Sequence, residues 1–343
     1  MEDKIPNILL IYTGGTIGMI KDSSIGALKS FDFKNLLKYI PELNLLSCEI
    51  STISFEDPID SSNMNLKYWI DIVEIIENNY DAYDGFVVLH GSDTMSYTAS
   101  ALSFMLENLA KPVILTGSQL PIGDLRTDAK ENLITSIQMA SLQKNNKPII
   151  QEVGLYFEYK LYRGNRTTKI NAEHFQAFNS LNYPVLAESG VHLKVNYEFL
   201  LKPNKRKGLI VHKNFNTNIA LIKLFPGISK SILECMTNYP NLKGVILETY
   251  GSGNASTELW FVDVLKQLIT KGIQVINVTQ CSGGSVNQGQ YETSQQLKSI
   301  GVISGRDITT EAAITKLMYM LGEGISSKTF KTIFESSLRG EMT

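Results

Sequence analysis

The sequence predicts an α/β protein of two domains, a larger N-terminal one with a doubly wound, mostly parallel sheet and a smaller C-terminal α/β domain. Two observations predict this fold. Short β-rich runs alternate with segments of helical period along most of the chain, which is typical of a parallel sheet covered by helices. The length of 343 residues indicates two domains of roughly 150 residues each.

The predicted strands are short apolar runs rich in β-branched residues, and the predicted helices carry their apolar residues on one face. The strands are Ile8–Tyr12, Phe86–Leu89, Val113–Thr116, Ile149–Phe157, Ile219–Phe225, Val245–Thr249 and Gln274–Thr279. The helical segments are Asn65–Asn79, Met95–Leu109 and Phe261–Leu268, with a further helix capped by Thr127 or Asp128.

The weakest pattern lies between about Val191 and Asn218, where basic and polar residues and a proline interrupt any helical period. We therefore predict an N-terminal domain over 1–192, a linker over 193–217 and a C-terminal domain over 218–343. The basic cluster Lys202–Lys207 favours a solvated linker over a nucleic-acid site, because the formal net charge of the chain is −2.

Composition also excludes several classes of protein. No basic surplus is present to bind nucleic acid or an anionic membrane, and runs such as Asn7–Tyr12 are far shorter than the ~20 apolar residues that span a bilayer. The three cysteines are odd in number and widely spaced, and the histidines lack zinc-site spacing. We therefore predict a soluble cytoplasmic protein without disulfides or a metal site.

Three predicted strands of the N-terminal half end in loops of glycine and small hydroxyl residues. These loops are Thr13–Gly18 (TGGTIG), His90–Met95 (HGSDTM) and Thr116–Pro121 (TGSQLP). Ligands of open α/β sheets bind outside the carboxyl ends of the strands. If the three strands are neighbours, their loops form one pocket of hydroxyls, an aspartate and backbone N–H groups. One such loop is usually an ordinary turn, but three favour a ligand site.

Familiar nucleotide-binding and hydrolase motifs are absent: the sequence has no GxxxxGK[ST], no GxSxG and no complete GxGxxG. His90 begins the second loop, and we interpret it as a packed or hydrogen-bonded histidine rather than a triad member. A hydroxyl nucleophile then needs another base, and a lysine of lowered pKa beside a carboxylate can serve. Lys169 in LYRGNRTTK is the candidate, although an isolated loop lysine is more often a solvated surface residue.

Five motifs together resemble the asparaginase family. They are YTGGTIGM, LHGSDTMSYTASALSFMLENL, PVILTGSQLPI, LYRGNRTTK and TQCSGG, and their order and spacing are similar to the bacterial cytoplasmic (type I) branch. The resemblance extends from about Ile8 to Gly340. It implies an L-asparaginase, which hydrolyses L-asparagine to L-aspartate and ammonia without a metal or organic cofactor.

The resemblance also implies roles for individual catalytic residues. Thr16 matches the first catalytic threonine, the nucleophile at the side-chain amide carbon. Ser92, Asp93 and Lys169 match the second hydroxyl, the carboxylate and the lysine of the family. The hydroxyl and the lysine would move protons, and Asp93 would also hold the substrate's α-ammonium group.

Further residues are assigned to substrate binding. Ser61 and Ser62 match positions that bind the α-carboxylate, and they lie at the predicted start of the helix Asn65–Asn79, where the dipole favours an anion. A plain N-cap is the other role open to Ser61, and the two roles are compatible. We add Gly15 and Gly91, because glycine lets the backbone approach a ligand closely.

This chain departs from the family's pattern at three places. Ser92 stands where the family usually has threonine, so its hydroxyl lacks the methyl group that restricts χ1. The loop after Thr16 has Ala27 near the place of an activating tyrosine, and Tyr291 is our candidate substitute. Glu248 stands where members with a second asparagine site have arginine, and a carboxylate cannot pair with the ligand's carboxylate.

The resemblance further implies a homotetramer built as a dimer of dimers, with the site near an interface. Asn254 or Ser256 in the GSGNAS loop of a partner subunit is then a candidate contributor, and a turn within one domain is the equal alternative. The expected small-molecule partner is L-asparagine, with no nucleic acid and no membrane.

Two other functions stay open. One is an asparaginase/glutaminase of broader specificity, because one methylene in a pocket is worth only ~1–3 kcal/mol. The other is an amino-acid-binding sensor without turnover, which the missing lid tyrosine favours. The joint presence of Thr16, Asp93 and Lys169 favours an enzyme, because a sensor needs no nucleophile and no base.

Overall fold

The computed structural model describes residues 5–21, 28–30, 40–289 and 292–343, and the chain divides into two compact units at residues 212 and 213. Each unit has a parallel-dominated sheet flanked by helices, so the predicted α/β fold with a smaller C-terminal domain is confirmed. The predicted domain bounds, 1–192 and 218–343 with a linker over 193–217, stay a prediction.

Both units contain helices and strands, and residues 143–211 of the first unit, all of which the structure describes, contain strands and no α-helix. The helices are α1 (Leu66–Asn78), α2 (Met95–Met105), α3 (Ala129–Ser141), α4 (Lys230–Thr237), α5 (Leu259–Thr270), α6 (Glu292–Ser299), α7 (Thr310–Gly322) and α8 (Ser327–Phe334). The strands of the first unit are β1 (Asn7–Gly14), β2 (Met19–Lys21), β3 (Leu28–Ser30), β4 (Glu49–Ile59), β5 (Gly85–Leu89), β6 (Leu106–Glu107), β7 (Val113–Thr116), β8 (Gln143–Lys144), β9 (Lys147–Pro148), β10 (Val153–Phe157), β11 (Lys160–Arg163), β12 (Thr168–Lys169), β13 (Phe178–Asn179), β14 (Ala187–Ser189), β15 (Leu193–Val195) and β16 (Ile210–Val211). The strands of the second unit are β17 (Ile219–Lys223), β18 (Gly244–Thr249), β19 (Gln274–Thr279) and β20 (Ile303–Ser304).

The main sheet of the first unit has the strand order β15-β14-β11-β10-β7-β5-β1-β4 in the described residues. Strands β4, β1, β5, β7 and β10 run parallel, and β11, β14 and β15 extend the sheet in antiparallel fashion. The carboxyl ends of four adjacent parallel strands, β4, β1, β5 and β7, therefore meet at one edge. The loops after them form the candidate site.

Burial explains which strands the sequence predicts. Strands β5, β7 and β10 are buried at every position, and a strand covered on both faces shows up as a continuous apolar run. Strand β4 lies at the edge of the sheet, is mostly exposed and contains Pro58, which edge strands tolerate. Its sequence therefore lacks an apolar run, and it was not among the predicted strands.

The start of α1 differs from the prediction. Asn65 is its N-cap, and the Asn65 side chain accepts a hydrogen bond from the backbone N of Lys67 at 3.0 Å. Ser61–Asn63 forms a separate 3₁₀ turn whose N-cap is Asp60. The expectation that Ser61 lies at the start of the helix or caps it is therefore wrong, because Met64 and Asn65 take extended backbone angles between the turn and the helix.

The second unit has the parallel strand order β17-β18-β19-β20, and its core packs the sheet against α5. Central core residues are Val245, Leu247, Phe261, Leu265 and Val275. Among the described residues, no helix is both long enough and apolar enough to cross a bilayer.

Candidate active site

The loops after β4, β1 and β5 touch one another through glycines. A Cβ on Gly14 would overlap the carbonyl oxygen of Ile59, and a Cβ on Gly15 would lie 2.5 Å from the backbone N of Gly91. A Cβ on Gly91 would in turn lie 2.5 Å from Ser61 Oγ. Gly15 also has a φ of 87°, which side chains rarely tolerate. These close approaches require glycine and bring the three loops to one place.

Thr16 opens the 3₁₀ turn Thr16–Gly18 directly after β1 and is partly buried. The Tyr12 hydroxyl donates to the carbonyl oxygen of Gly18 at 3.2 Å, which ties the turn back to the strand. Because Gly15 packs against Gly91, the turn that carries Thr16 lies beside the loop that carries Ser92 and Asp93.

Lys169 contacts Ser92 and Asp93, which precede it in the sequence by 77 and 76 residues. Its Nζ donates to Ser92 Oγ at 2.9 Å and to Asp93 Oδ1 at 2.6 Å. The side chain of Lys169 is 18% exposed, whereas that of Asp93 is 65% exposed. The three predicted relay residues therefore form one hydrogen-bonded group, whose carboxylate faces the open side of the site.

A buried 3₁₀ turn between β11 and β12 holds Lys169 in place. Gly164–Arg166 precedes β12, and Gly164 packs so closely against Ala99 of α2 that a Cβ would lie 3.1 Å away. The Thr167 hydroxyl contacts the Gly164 carbonyl at 2.9 Å and Ser96 Oγ at 3.1 Å. Because α2 follows the Ser92 loop directly, this contact fixes the distance between the lysine and its two partners.

Ser61 and Ser62 occupy different environments. Ser61 is buried, and its carbonyl oxygen accepts a hydrogen bond from Thr94 Oγ1 at 2.7 Å. Ser62 is exposed, and its backbone N and its hydroxyl both donate to Asp60 Oδ1, at 2.9 and 2.6 Å. These two bonds lower the pKa of Asp60. Ser61 thus touches the loop that carries Ser92 and Asp93, while the donors of Ser62 bind a carboxylate of the protein itself.

His90 is fully buried and hydrogen-bonded at both ring nitrogens, which confirms the packed interpretation. Its Nδ1 lies 2.7 Å from the carbonyl oxygen of Gly91, and its Nε2 lies 2.9 Å from Thr98 Oγ1, which itself accepts from Trp69 Nε1 at 3.0 Å. Nδ1 must therefore carry the proton, and Nε2 must accept from the Thr98 hydroxyl. Burial lowers the pKa of His90 to about 4.

The buried neutral His90 should make the protein sensitive to acid. Folding lowers the pKa of His90, so as the pH falls the unfolded chain binds a proton before the folded chain does. The free energy of unfolding therefore decreases as the pH falls from 6.5, the ordinary pKa of histidine, toward about 4. Between about pH 7 and pH 4.5, the wild type should lose about 2 kcal/mol more unfolding free energy than His90→Gln. Urea unfolding at both pH values measures this difference. His192→Gln replaces an exposed histidine, and its unfolding free energy should depend on pH as that of the wild type does. If the unfolding free energy of His90→Gln falls with pH as steeply as that of the wild type, His90 is not a neutral histidine of lowered pKa.

Gln119 is a site residue that the sequence analysis missed, although it lies in the TGSQLP loop. Its Oε1 accepts a hydrogen bond from Ser92 Oγ at 3.2 Å. Nothing in the local sequence marks it, because its other partners lie more than fifty residues further along the chain.

The remaining predicted residues lie in the second unit or outside the described residues. Asn254 and Ser256 belong to the loop after β18, where Asn254 N donates to the Tyr250 carbonyl at 2.8 Å and Ser256 Oγ accepts from Glu258 N at 3.2 Å. Tyr291 and Ala27 lie outside the described residues. Within the described ranges, no group of three or more His, Cys, Asp or Glu side chains could hold a metal ion.

Two family comparisons cover most of the chain. Residues 7–201 match the family described as "Asparaginase, N-terminal", and residues 218–334 match "Glutaminase/Asparaginase C-terminal domain". The chain belongs to the asparaginase family. Within this family, the protein named L-asparaginase 1 of Escherichia coli (strain K12) is 43% identical over 98% of both chains.

Solved structures of asparaginases are similar over the whole chain. L-asparaginase I from Vibrio cholerae O1 biovar eltor str. N16961 superposes with a TM-score of 0.89 at 39% identity, covering 99% of this chain and 100% of that one. The thermostable L-asparaginase from Thermococcus kodakarensis has a TM-score of 0.88 at 30% identity, covering 98% and 99%. The asparaginase fold of this chain is therefore established for both units.

Proposed function

We propose that this asparaginase-family chain hydrolyses L-asparagine to L-aspartate and ammonia, with Thr16 as nucleophile and Ser92, Asp93 and Lys169 as the proton relay. The observation that carries the proposal is the position of Lys169 Nζ, 2.9 Å from Ser92 Oγ and 2.6 Å from Asp93 Oδ1. A lysine in this contact can exchange protons with the hydroxyl, and the turn with Thr16 lies beside it.

The reaction follows the logic of acyl transfer. The Thr16 hydroxyl attacks the side-chain amide carbon and loses its proton to the Ser92–Lys169 pair, and the carbonyl oxygen becomes an oxyanion. Backbone N–H groups near Ser92 stabilise this oxyanion, an effect worth about 3 kcal/mol in other hydrolases. The relay returns the proton to the departing amine, which leaves as ammonia. Water then hydrolyses the Thr16 ester to aspartate.

Substrate recognition uses the open side of the site. The exposed carboxylate of Asp93 pairs with the α-ammonium group, and the Ser61–Ser62 turn receives the α-carboxylate. Gly15 and Gly91 let the loops that carry Thr16, Ser61 and Ser92 meet around the substrate, because the space that a Cβ would fill is taken by the neighbouring loop. Binding of the α-carboxylate requires Ser62 to exchange Asp60 for the substrate, because both Ser62 donors contact Asp60 Oδ1.

Ammonia release from L-asparagine and, in parallel, from L-glutamine tests the proposal. Release from asparagine alone supports the asparaginase, and comparable release from both supports the broader asparaginase/glutaminase. Binding of either amino acid without ammonia release would support the sensor and overturn the proposal. The relative from Escherichia coli is named an L-asparaginase, which favours the first outcome.

Cooperativity for asparagine should be weak or absent. Glu248 takes the place of an arginine that binds a second asparagine in the related enzymes, and its Oε1 accepts from Thr310 Oγ1 at 2.7 Å. Its other oxygen lies 3.5 Å from Lys223 Nζ. A carboxylate held in this way repels the carboxylate of a second ligand. A steady-state titration should give a Hill coefficient near one, and a value well above one would contradict this prediction.

The homotetramer and the cytoplasmic location stay predictions. Light scattering after gel filtration measures the oligomeric state. If Asn254 or Ser256 completes the partner's site, specific activity should fall when the protein is diluted until the oligomer dissociates.

A further inference from the structure

The side chain of Gln119 connects Ser92 to the loop after Lys169. Its Nε2 donates to the carbonyl oxygens of Ala172 and His174, both at 3.1 Å, and its Oε1 accepts from Ser92 Oγ at 3.2 Å. A carbonyl can only accept, so the two backbone contacts require the amide nitrogen on their side. The amide oxygen must then face Ser92, and the Ser92 hydroxyl must be the donor.

The backbone of Gln119 is also held in place. Its N–H donates to Asp128 Oδ2 at 2.9 Å, and the N–H of Leu120 donates to Asp128 Oδ1 at 3.1 Å. The buried Asn132 donates to the carbonyl oxygen of Gly117 at 2.9 Å. Two side chains at the start of α3 thus fix the loop on both sides of Gln119, and the amide is oriented before substrate arrives.

These contacts determine which hydrogen bonds the Ser92 hydroxyl accepts and donates. Lys169 Nζ donates to Ser92 Oγ, so in the resting site the Ser92 O–H bond points in another direction, where Gln119 Oε1 accepts its hydrogen bond. Serine has no β-branch, and its χ1 can take three staggered rotamers. The position of Oγ seen here satisfies both partners at once.

We infer that Gln119 is a positioning residue that holds Ser92 Oγ in hydrogen-bond contact with Lys169 Nζ. The inference deepens the proposed function and rests on it. Ser92 can relay a proton only while its oxygen stays in contact with the lysine. Gln119 supplies the restraint that a β-branched side chain would supply through its own sterics.

Gln119→Met tests the inference, because methionine has a similar length and removes all three side-chain hydrogen bonds. We expect kcat to fall about tenfold, equivalent to about 1.4 kcal/mol of activation free energy, with KM changed less than about threefold. Gln267→Met is the matched control, since Gln267 is exposed on α5, and it should leave both constants unchanged. An unchanged kcat in Gln119→Met would overturn the inference.

A second background separates positioning from a general structural effect. In Ser92→Thr, the β-branch restricts χ1 by itself, so adding Gln119→Met should lower kcat less than about threefold. An equal loss in both backgrounds would indicate that Gln119 merely supports the fold.

A crystal structure of Gln119→Met decides the matter independently of activity. The Ser92 side chain should leave its rotamer or occupy several, whereas a single rotamer still in contact with Lys169 Nζ would overturn the inference. Failure of the wild type to release ammonia would instead refute the proposed function.

Discussion

Thr16→Ala should lower kcat for L-asparagine at least about 1,000-fold, because the variant lacks the hydroxyl that forms the ester intermediate. The affinity for amino acid should stay within about threefold of wild type, since Asp93, Ser61 and Ser62 are untouched. Ammonia release measures the first effect. Calorimetric titration with the product L-aspartate measures the second, because aspartate is not turned over.

Two further variants define what the loss means. Thr16→Ser keeps the hydroxyl at the same place in the turn and should retain most of the turnover. Thr270→Ala removes an exposed threonine hydroxyl from α5 and should behave as wild type. If Thr16→Ala hydrolyses asparagine at the wild-type rate, the nucleophile assignment is wrong.

Lys169→Met should lower kcat about 100- to 10,000-fold, the range by which a positioned acid or base accelerates a reaction. The methionine side chain keeps much of the volume but has no Nζ to contact Ser92 and Asp93. Single-turnover measurements at saturating asparagine report the chemical step directly.

Lys169→Arg separates proton transfer from simple charge. Arginine keeps the positive charge beside Asp93, but its guanidinium stays protonated and cannot accept a proton. We therefore expect Lys169→Arg to be nearly as slow as Lys169→Met. Lys67→Met is the matched control, because it removes a lysine that also pairs with an aspartate, Asp71, at 2.9 Å on the surface. Full activity in Lys169→Arg would show that the lysine acts through its charge alone.

The sheet could be predicted wherever its strands are buried on both faces. The predicted strands Phe86–Leu89 and Val113–Thr116 match β5 and β7 to within one residue, because burial demands a continuous apolar run there. The edge strand β4 could not be predicted in this way, since solvent on its outer side permits polar residues.

The start of α1 shows a different limit. The sequence around it offers several short polar side chains that can cap a helix, including Asp60, Ser61 and Asn65. Asp60 caps the Ser61–Asn63 turn and Asn65 caps α1, because the backbone between the turn and the helix is extended. The contacts of Ser61 with Gly91 and Thr94 hold the turn in this position. The local sequence cannot predict these contacts, because Thr94 lies 33 residues further along the chain.

The sequence alone determines the α/β class, the loops at the carboxyl ends of the strands and, through the family motifs, the candidate residues. These features depend on residues close together in the chain. Only the tertiary structure shows that Lys169 contacts Ser92 and Asp93, that His90 is a buried residue hydrogen-bonded at both ring nitrogens, and that Gln119 accepts a hydrogen bond from Ser92. The physical reason is common to all three. Hydrogen-bond geometry and burial depend on distances of a few ångströms between segments that the sheet and its crossover connections bring together.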